Sequence, residues 1–332
     1  MSEKTFYPYL KFDPAYAYAS ARVRALEARF LDAAKIRKLV ISKDVKHFIG
    51  EMSDSPYKKY IDKLEKHLEF EDMLFSVFKD VIEELSELSL NKDLRDYFNL
   101  YFDVYNIKMI FKSDRFRLSA EEKLYDYGNI GRAALNPDGS LDISKVPKRF
   151  LGLFEQLRAA GEKQRTELIV NEIVDEFYFS EIARYAKLLK SDFLLNLNMH
   201  TIELTNAQTL LRHKLYNFPH VRFISGGFTC LSTLERMKEH PFSEIVKYFS
   251  QKGYSELFEK SQDDAKVMRD FIRNIRTFTH DLIWETQYLP MGIEILIVYF
   301  YRKRDELRTL RKIFFAKLRN IGKDELVGII YD

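Results

Sequence analysis

Glycine and proline are scarce in this chain, and that scarcity is the strongest constraint on its fold. Twelve glycines and eight prolines make up 20 of the 332 residues, about 6% where roughly 12% is usual. Sheets, tight turns and phosphate-binding loops use both residues, because glycine adopts left-handed backbone angles and proline fixes a turn. A chain this poor in both is expected to be all-α.

Apolar residues recur at helical spacing along much of the sequence. Val23, Leu26, Phe30 and Ala33 follow one another by three or four residues and predict a single helix that starts near Ala19. Near the C-terminus a similar stripe predicts a long last helix, and its members are Leu296, Phe300, Leu307, Leu310 and Phe314.

The remaining composition limits compartment and partners. The longest apolar run, Ile295–Tyr301, is far shorter than the ~20 residues needed to span a bilayer, so we expect a soluble chain that meets membranes only through partners or its surface. A net charge of +3 argues against a dedicated nucleic-acid binder. The single cysteine, Cys230, cannot form an intramolecular disulfide, which fits a reducing compartment, and we expect it to be buried.

A weak repeat divides the chain. Asp103–Lys112, Glu203–Arg212 and Glu306–Phe314 share an acid, then Asn or Thr three residues later, then apolar residues, and their starts lie 100 and 103 residues apart. The repeat predicts three similar helical units, 1–118, 119–222 and 223–332. The alternative is chance similarity, since amphipathic helices resemble one another.

Sequence signatures of catalysis are missing. The chain has no P-loop, no G-x-G-x-x-G, no G-x-S-x-G, no C-x-x-C and no H-E-x-x-H. The seven histidines are not at metal-binding spacing, and the adjacent carboxylates point to different sides of a helix. We therefore predict no catalytic, cofactor-binding or metal-binding residues. A helical enzyme that uses scattered acids and histidines remains the alternative.

Two segments admit a binding role. Ser225–Phe228 contains the only glycine pair and is either a backbone anion nest or, as we prefer, a turn between helical units. Arg302–Arg319 carries eight cations against Asp305 and Glu306. This basic stretch is either a solvated helix face or a contact for an acidic partner, lipid headgroups or nucleic acid, and we favour the solvated face or a protein partner.

Several motifs together resemble a known family. Tyr16–Glu27 is similar to the N-terminal helix of the C subunit of V/A-type ATPases and ATP synthases, the homologue of the d subunit of eukaryotic V-ATPases. Asp103 and Tyr105–Lys108 resemble the family's D-x-x-N-[LI]-[KR] signature, and Glu203 with Asn206 resembles a second copy. The segment from Gly292 to Ile313 resembles its C-terminal pattern, with departures at Ile295, Thr309 and, in the second copy, Ala207.

The resemblance implies a fold and a function. Members form three similar helical bundles in a pseudo-threefold funnel on the cytoplasmic side of the membrane. The funnel is a non-catalytic rotor part without a cofactor, and it couples the shaft made by the D and F subunits to the membrane proteolipid ring for ion transport or ATP synthesis.

On that basis Arg308 and Arg311 are predicted to contact the shaft or the ring. The chain itself needs no membrane segment, because partner subunits hold it at the membrane. A generic all-helical scaffold or adaptor is the alternative function.

Overall fold

The computed structural model describes residues 9–64, 69–116, 124–136, 141–164, 167–218, 221–322 and 326. These residues form α-helices, short 3-10 turns and one π-helical turn, Ser250–Tyr254, and no β-strand, which confirms the all-α prediction. The helices are α1 (Ala17–Glu27), α2 (Ala33–Ile41), α3 (Val45–Ser53), α4 (Lys58–Ile61), α5 (Phe70–Leu88), α6 (Lys92–Phe116), α7 (Leu151–Gln164), α8 (Glu167–Leu188), α9 (Asp192–Tyr216), α10 (Leu231–Met237), α11 (Phe242–Phe249), α12 (Asp264–Trp284) and α13 (Ile293–Leu318).

Short polar side chains start several of these helices, because they accept backbone N–H groups that have no partner within the first turn. The carboxylate of Asp32 accepts from the Lys35 amide, and the hydroxyl of Ser191 accepts from the Leu194 amide. At its other end α9 stops at Asn217, whose φ of 51° places it in the left-handed region.

Among the described residues, no helix is both long and apolar enough to cross a bilayer.

The prediction of one continuous helix from Ala19 to Ala33 is wrong. Helix α1 ends at Glu27, Phe30 lies in a loop, and α2 begins at Ala33 behind the Asp32 cap. The apolar spacing gave a wrong prediction because Phe30 is not part of a helix. It lies in a loop, from which its ring packs against the ring of Tyr299 at a centroid distance of 5.4 Å. The predicted last helix is confirmed: all five members of its stripe are buried in α13.

The chain divides into two compact units, residues 1–90 with 250–332 and residues 91–249. The predicted boundaries after residues 118 and 222 both fall within the second unit, and residue 118 lies outside the described residues. The division into three similar units therefore stays a prediction.

In the discontinuous unit, α13 is the central helix. It packs against α5 and α1, and also against α3. The rings of Phe70 and Phe314 stack at 4.1 Å, and Phe48 meets Phe70 edge-on at 5.6 Å. The start and the end of the chain thus share one hydrophobic core.

In the continuous unit, α8 is the central helix. It packs along both α6 and α9, while α7 covers α8 and α11 packs on α9. Tyr185 of α8 is fully buried beside Tyr97 of α6. The acids and asparagines of the first two repeat copies lie on α6 and α9, and this packing holds both helices.

Candidate functional site

Asp103 of α6 is a fully buried carboxylate that holds a distant loop. Its Oδ1 accepts from the backbone amides of Asn129 at 2.5 Å and Ile130 at 2.9 Å, and its Oδ2 accepts from the Asn129 side chain at 2.9 Å. Burial raises the pKa of Asp103, while these N–H donors and the guanidinium of Arg149 act in the opposite direction. Both oxygens of the Asp103 carboxyl group therefore accept hydrogen bonds from within the chain.

Asn106 holds the same loop from the next turn of α6. Its side-chain oxygen accepts from the Tyr125 amide at 2.9 Å, and its Nδ2 donates to the carbonyls of Tyr125 at 2.8 Å and Ile130 at 2.6 Å. Residues three apart lie on one helix face, so the acid and the asparagine act on one loop. We call Asp103, Asn106 and the loop 125–130 the first clamp.

The second clamp has the same construction on α9. Oε2 of Glu203 accepts from the Thr229 amide at 2.8 Å, and Oε1 accepts from the Thr229 hydroxyl at 2.5 Å. Asn206 accepts from the Ile224 amide at 2.9 Å and donates to the Ile224 carbonyl at 2.8 Å. These bonds tie the loop 224–229 to α9.

Glycine lets both loops approach their carboxylates closely. A Cβ atom at Gly128 would lie 2.6 Å from Oδ1 of Asp103, and one at Gly227 would lie 2.8 Å from Oε2 of Glu203. The anion next to Ser225–Phe228 is thus Glu203 of the same chain. This geometry supports our interpretation of that segment as a turn.

The third clamp, on α13, uses different chemistry. Oε2 of Glu306 accepts from the Leu31 amide at 2.9 Å, while Oε1 accepts from Lys303 Nζ at 2.8 Å and from the Tyr57 hydroxyl. Burial, reinforced by the charge of Glu306, raises the pKa of Tyr57 well above its usual value. The loop held here comes from the N-terminal part of the chain.

The three clamps share one further feature. A short helix starts two residues after the held amide in each case: after Ile130 at Arg132, after Thr229 at Leu231, and after Leu31 at Ala33. The three copies of the sequence repeat thus share this arrangement of an acid, a held loop and a short helix, while the division of the chain into three similar units stays a prediction. Sequence reasoning found its acids and asparagines but missed the loops. Gly128 and Gly227, each shortly before a helix start, were the available signal.

Only part of the basic stretch 302–319 turns inward, since Arg308, Arg311, Lys312 and Arg319 are exposed. Arg302 pairs with Glu27 at 2.8 Å, Lys303 is buried against Glu306, and Lys317 Nζ donates to the Val40 carbonyl at 2.5 Å. Burial lowers the pKa of Lys317. Lys303 and Lys317 are buried and therefore do not belong to a solvated helix face, and Arg302 is paired within the chain.

Arg308 and Arg311, the predicted partner contacts, lie on the surface. Arg308 lies 3.7 Å from Asp305, and Arg311 lies 2.6 Å from Glu71. Exposed pairs of this kind contribute at most about 1 kcal/mol, so a partner could displace them at small cost. Their role in binding stays a prediction.

Cys230 corrects one expectation. The side chain is exposed rather than buried. Its Sγ lies 3.3 Å from the Ser232 hydroxyl and 3.2 Å from the Thr233 hydroxyl, and these hydrogen bonds lower the pKa of the thiol to about 7. Across the described parts of the chain, no group of three or more His, Cys, Asp or Glu side chains is arranged to hold a metal ion.

Comparison with known proteins assigns the chain to a family. Residues 19–327 match the model of the ATP synthase (C/AC39) subunit family. The chain belongs to this family. Similar proteins include the C subunit of the A-type ATP synthase of Pyrococcus furiosus, 25% identical over 91% of this chain and 86% of the relative, and that of Pyrococcus abyssi, 26% identical over 94% and 88%. The corresponding C subunit of Methanocaldococcus jannaschii is 21% identical over 95% and 86%.

The structure explains what Thr309 does at the position where the first two copies of the repeat have Asn106 and Asn206. The Thr309 hydroxyl accepts from Nη2 of Arg276 on α12 at 2.9 Å and donates to the Asp305 carbonyl at 3.0 Å. In the first two clamps the asparagine binds a loop backbone, whereas here the threonine binds the side chain of a neighbouring helix.

Proposed function

We propose that this chain is a non-catalytic central-stalk subunit of a V/A-type rotary ATPase. In this role it couples the shaft made by the D and F subunits to the membrane proteolipid ring, in the direction of ion transport or of ATP synthesis. The observation that carries the proposal is the family match over residues 19–327, which includes all three clamp carboxylates. The relatives are named as C subunits of A-type ATP synthases.

The clamps suit a part that transmits torque. A coupling element must resist bending, and stiffness comes from close-packed helices whose connections are fixed. Asp103, Glu203 and Glu306 each fix a connection to a helix face, because a backbone amide of the connection donates a hydrogen bond to the buried carboxylate. The loops that would otherwise act as hinges are thereby held.

The proposal places the chain at the cytoplasmic face of the membrane, where partner subunits hold it. Arg308 and Arg311 are the candidate contacts with the shaft or the ring, since both are exposed on the last helix and form ion pairs at the surface.

The test is co-purification from detergent-solubilised membranes. The full-length chain should be recovered with proteolipid, D and F subunits, and a chain with Arg308→Glu and Arg311→Glu should be recovered with at least about tenfold less of one of them. Lys59→Glu is the matched control, because Lys59 forms a similar surface pair with Asp80 at 2.8 Å. It should leave recovery unchanged.

Two results would separate the parts of the proposal. Normal recovery of the double variant with its melting temperature intact would refute the contact role of the two arginines. Failure of the unmodified chain to recover any of these subunits would refute the rotor role and favour a scaffold.

A further inference from the structure

An open groove lies beside α13 in the discontinuous unit. It has a volume of about 510 Å³ and is bounded by α12, by α13 and by the segment Phe30–Ile36. In the described part of the chain α12 does not pack closely along α13 as α8 packs along α9. The hydrogen bond from Arg276 to Thr309 bridges the gap between the two helices.

The floor of the groove is apolar and one wall is fixed in place. Phe30, Leu31, Ile36 and Ile283 line it. Glu306 holds the Leu31 amide at 2.9 Å, so the third clamp positions that wall. Along α12 the lining runs from Arg273 to Ile283, about three turns or roughly 15 Å. The length of this lining accommodates about three turns of a helix.

The charges that border the groove favour an acidic ligand. Arg273, Arg276, Arg302 and His280 line it, against Asp305 and Glu306. The side chain of Glu306 is only 7% exposed and faces the clamp, and Asp305 lies 3.7 Å from Arg308. Among the residues that line the groove, the three arginines therefore outnumber the one exposed carboxylate, Asp305.

The arginines retain donors for a second carboxylate. Arg302 donates to Glu27 through Nη1, and Arg273 pairs through Nη2 with Glu259 and Asp270. A guanidinium carries five N–H donors, so neither arginine is saturated by these bonds. A ligand carboxylate can bind without displacing the existing pair.

We propose that this groove binds the end of an acidic amphipathic helix from another subunit of the complex. Apolar side chains of that helix, three or four residues apart, occupy the floor, and its flanking carboxylates pair with the arginines, as in other helix-in-groove complexes. This proposal rests on the proposed function for one point, the source of the helix, which is a neighbouring subunit of the complex.

Trp284 provides a built-in reporter, because it is the only tryptophan in the chain. It is 46% exposed, it stacks on His280 at 5.4 Å, and Arg302 lies 5.8 Å from its ring. Both neighbours line the groove. A helix that enters the groove should change the fluorescence of this side chain.

The experiment titrates the full-length chain with a synthetic peptide of about 14 residues, capped at both ends, with leucines at helical spacing and glutamates between them. A second peptide carries lysine in place of each glutamate. Peptide anisotropy is recorded beside Trp284 fluorescence, so that binding is detected even if the tryptophan signal is small. We expect the glutamate peptide to bind at least about tenfold more tightly than the lysine peptide.

Two matched variants locate the binding. Arg276→Glu should weaken the glutamate peptide at least about tenfold. Arg269→Glu, with the same charge change on the same helix but outside the groove, should weaken it by less than about threefold. Equal weakening by both variants, equal binding of both peptides, or no binding by either signal would overturn the proposal.

Failure here can be distinguished from failure of the rotor role. If the unmodified chain co-purifies with proteolipid, D and F subunits but binds neither peptide, only the groove proposal is refuted. If peptide binding is found without co-purification, the groove is still a site for an acidic helix, but both the rotor role and a rotor subunit as the source of that helix are refuted.

Discussion

In α9, Glu203 reaches Thr229, 26 residues further along the chain, whereas in α13 Glu306 reaches Leu31, 275 residues back. The second clamp is local and uses glycine, asparagine and threonine. The third clamp is long-range and uses Lys303 and Tyr57 around the same kind of carboxylate. The difference shows that one helix position can keep its acid while every partner of that acid changes.

The contrast extends to the neighbouring helix. Where α9 keeps Asn206 for the loop, α8 packs closely along it. Where α13 has Thr309, a hydrogen bond from Arg276 bridges to α12, and the groove lies between the two helices. The repeat copy that has threonine in place of asparagine is thus the one beside the opening that we propose as a docking site.

Removal of the two carboxylates gives the largest expected difference. Glu306→Ala leaves Lys303 buried without its anion and should lower the free energy of unfolding by about 3–5 kcal/mol. Glu203→Ala leaves the Thr229 amide and hydroxyl without their acceptor and should lower it by about 1–3 kcal/mol. Chemical denaturation measures both. The surface variant Glu235→Ala is the control and should stay within about 0.5 kcal/mol of wild type. Equal costs for the two clamp variants would contradict the comparison.

Substitution by alanine at the position two residues before the held amide should give an intermediate difference in stability between the second and third clamps. Gly227→Ala places a Cβ 2.8 Å from Oε2 of Glu203, so it should cost about 1–3 kcal/mol. The matching position in the third clamp is the exposed Arg29, and Arg29→Ala should change stability by less than about 0.5 kcal/mol. Denaturant midpoints at constant m-value report both changes. A harmless Gly227→Ala would show that the second clamp is looser than its distances indicate.

Alkaline pH gives the smallest and most selective difference. Because burial raises the pKa of Tyr57 above its usual value, the folded chain keeps this proton at a pH where the unfolded chain has lost it. Stability therefore falls as the pH rises above about 10, the unfolded value. In Tyr57→Phe this fall should be shallower, although the variant is less stable at pH 7. Urea midpoints between neutral and alkaline pH test the slope, and an unchanged slope would exclude Tyr57 as the cause.

The sequence alone shows that Asp103, Glu203 and Glu306 occupy equivalent positions, because the same order of acid, Asn or Thr and apolar residues recurs around each of them. It did not find their partners. Nothing in the sequence marks Leu31 as the partner of an acid 275 residues away. The groove was missed for a related reason: the stripe through Phe30 fits a helix as well as it fits a loop that packs on Tyr299.

The sequence alone also did not predict which side chains are buried at three positions, Cys230, Lys303 and Lys317. Cys230 is a typical buried residue by type, yet it is exposed, because it is the residue immediately before α10 in the turn that Glu203 holds. The inward-facing cations Lys303 and Lys317 were counted in a basic surface stretch. Their burial depends on Tyr57 and Val40, which lie far away in the chain.

The bond between Glu306 and Leu31 also has a consequence for synthesis on the ribosome. At about 5–20 residues per second, the loop near Leu31 waits roughly 15–55 s for its acceptor, which lies 275 residues downstream. The loop near Thr229 follows Glu203 by 26 residues and can close within a few seconds of emergence. The Leu31 amide therefore stays without this acceptor until α13 is synthesised, and the third clamp is the last one that a growing chain can form.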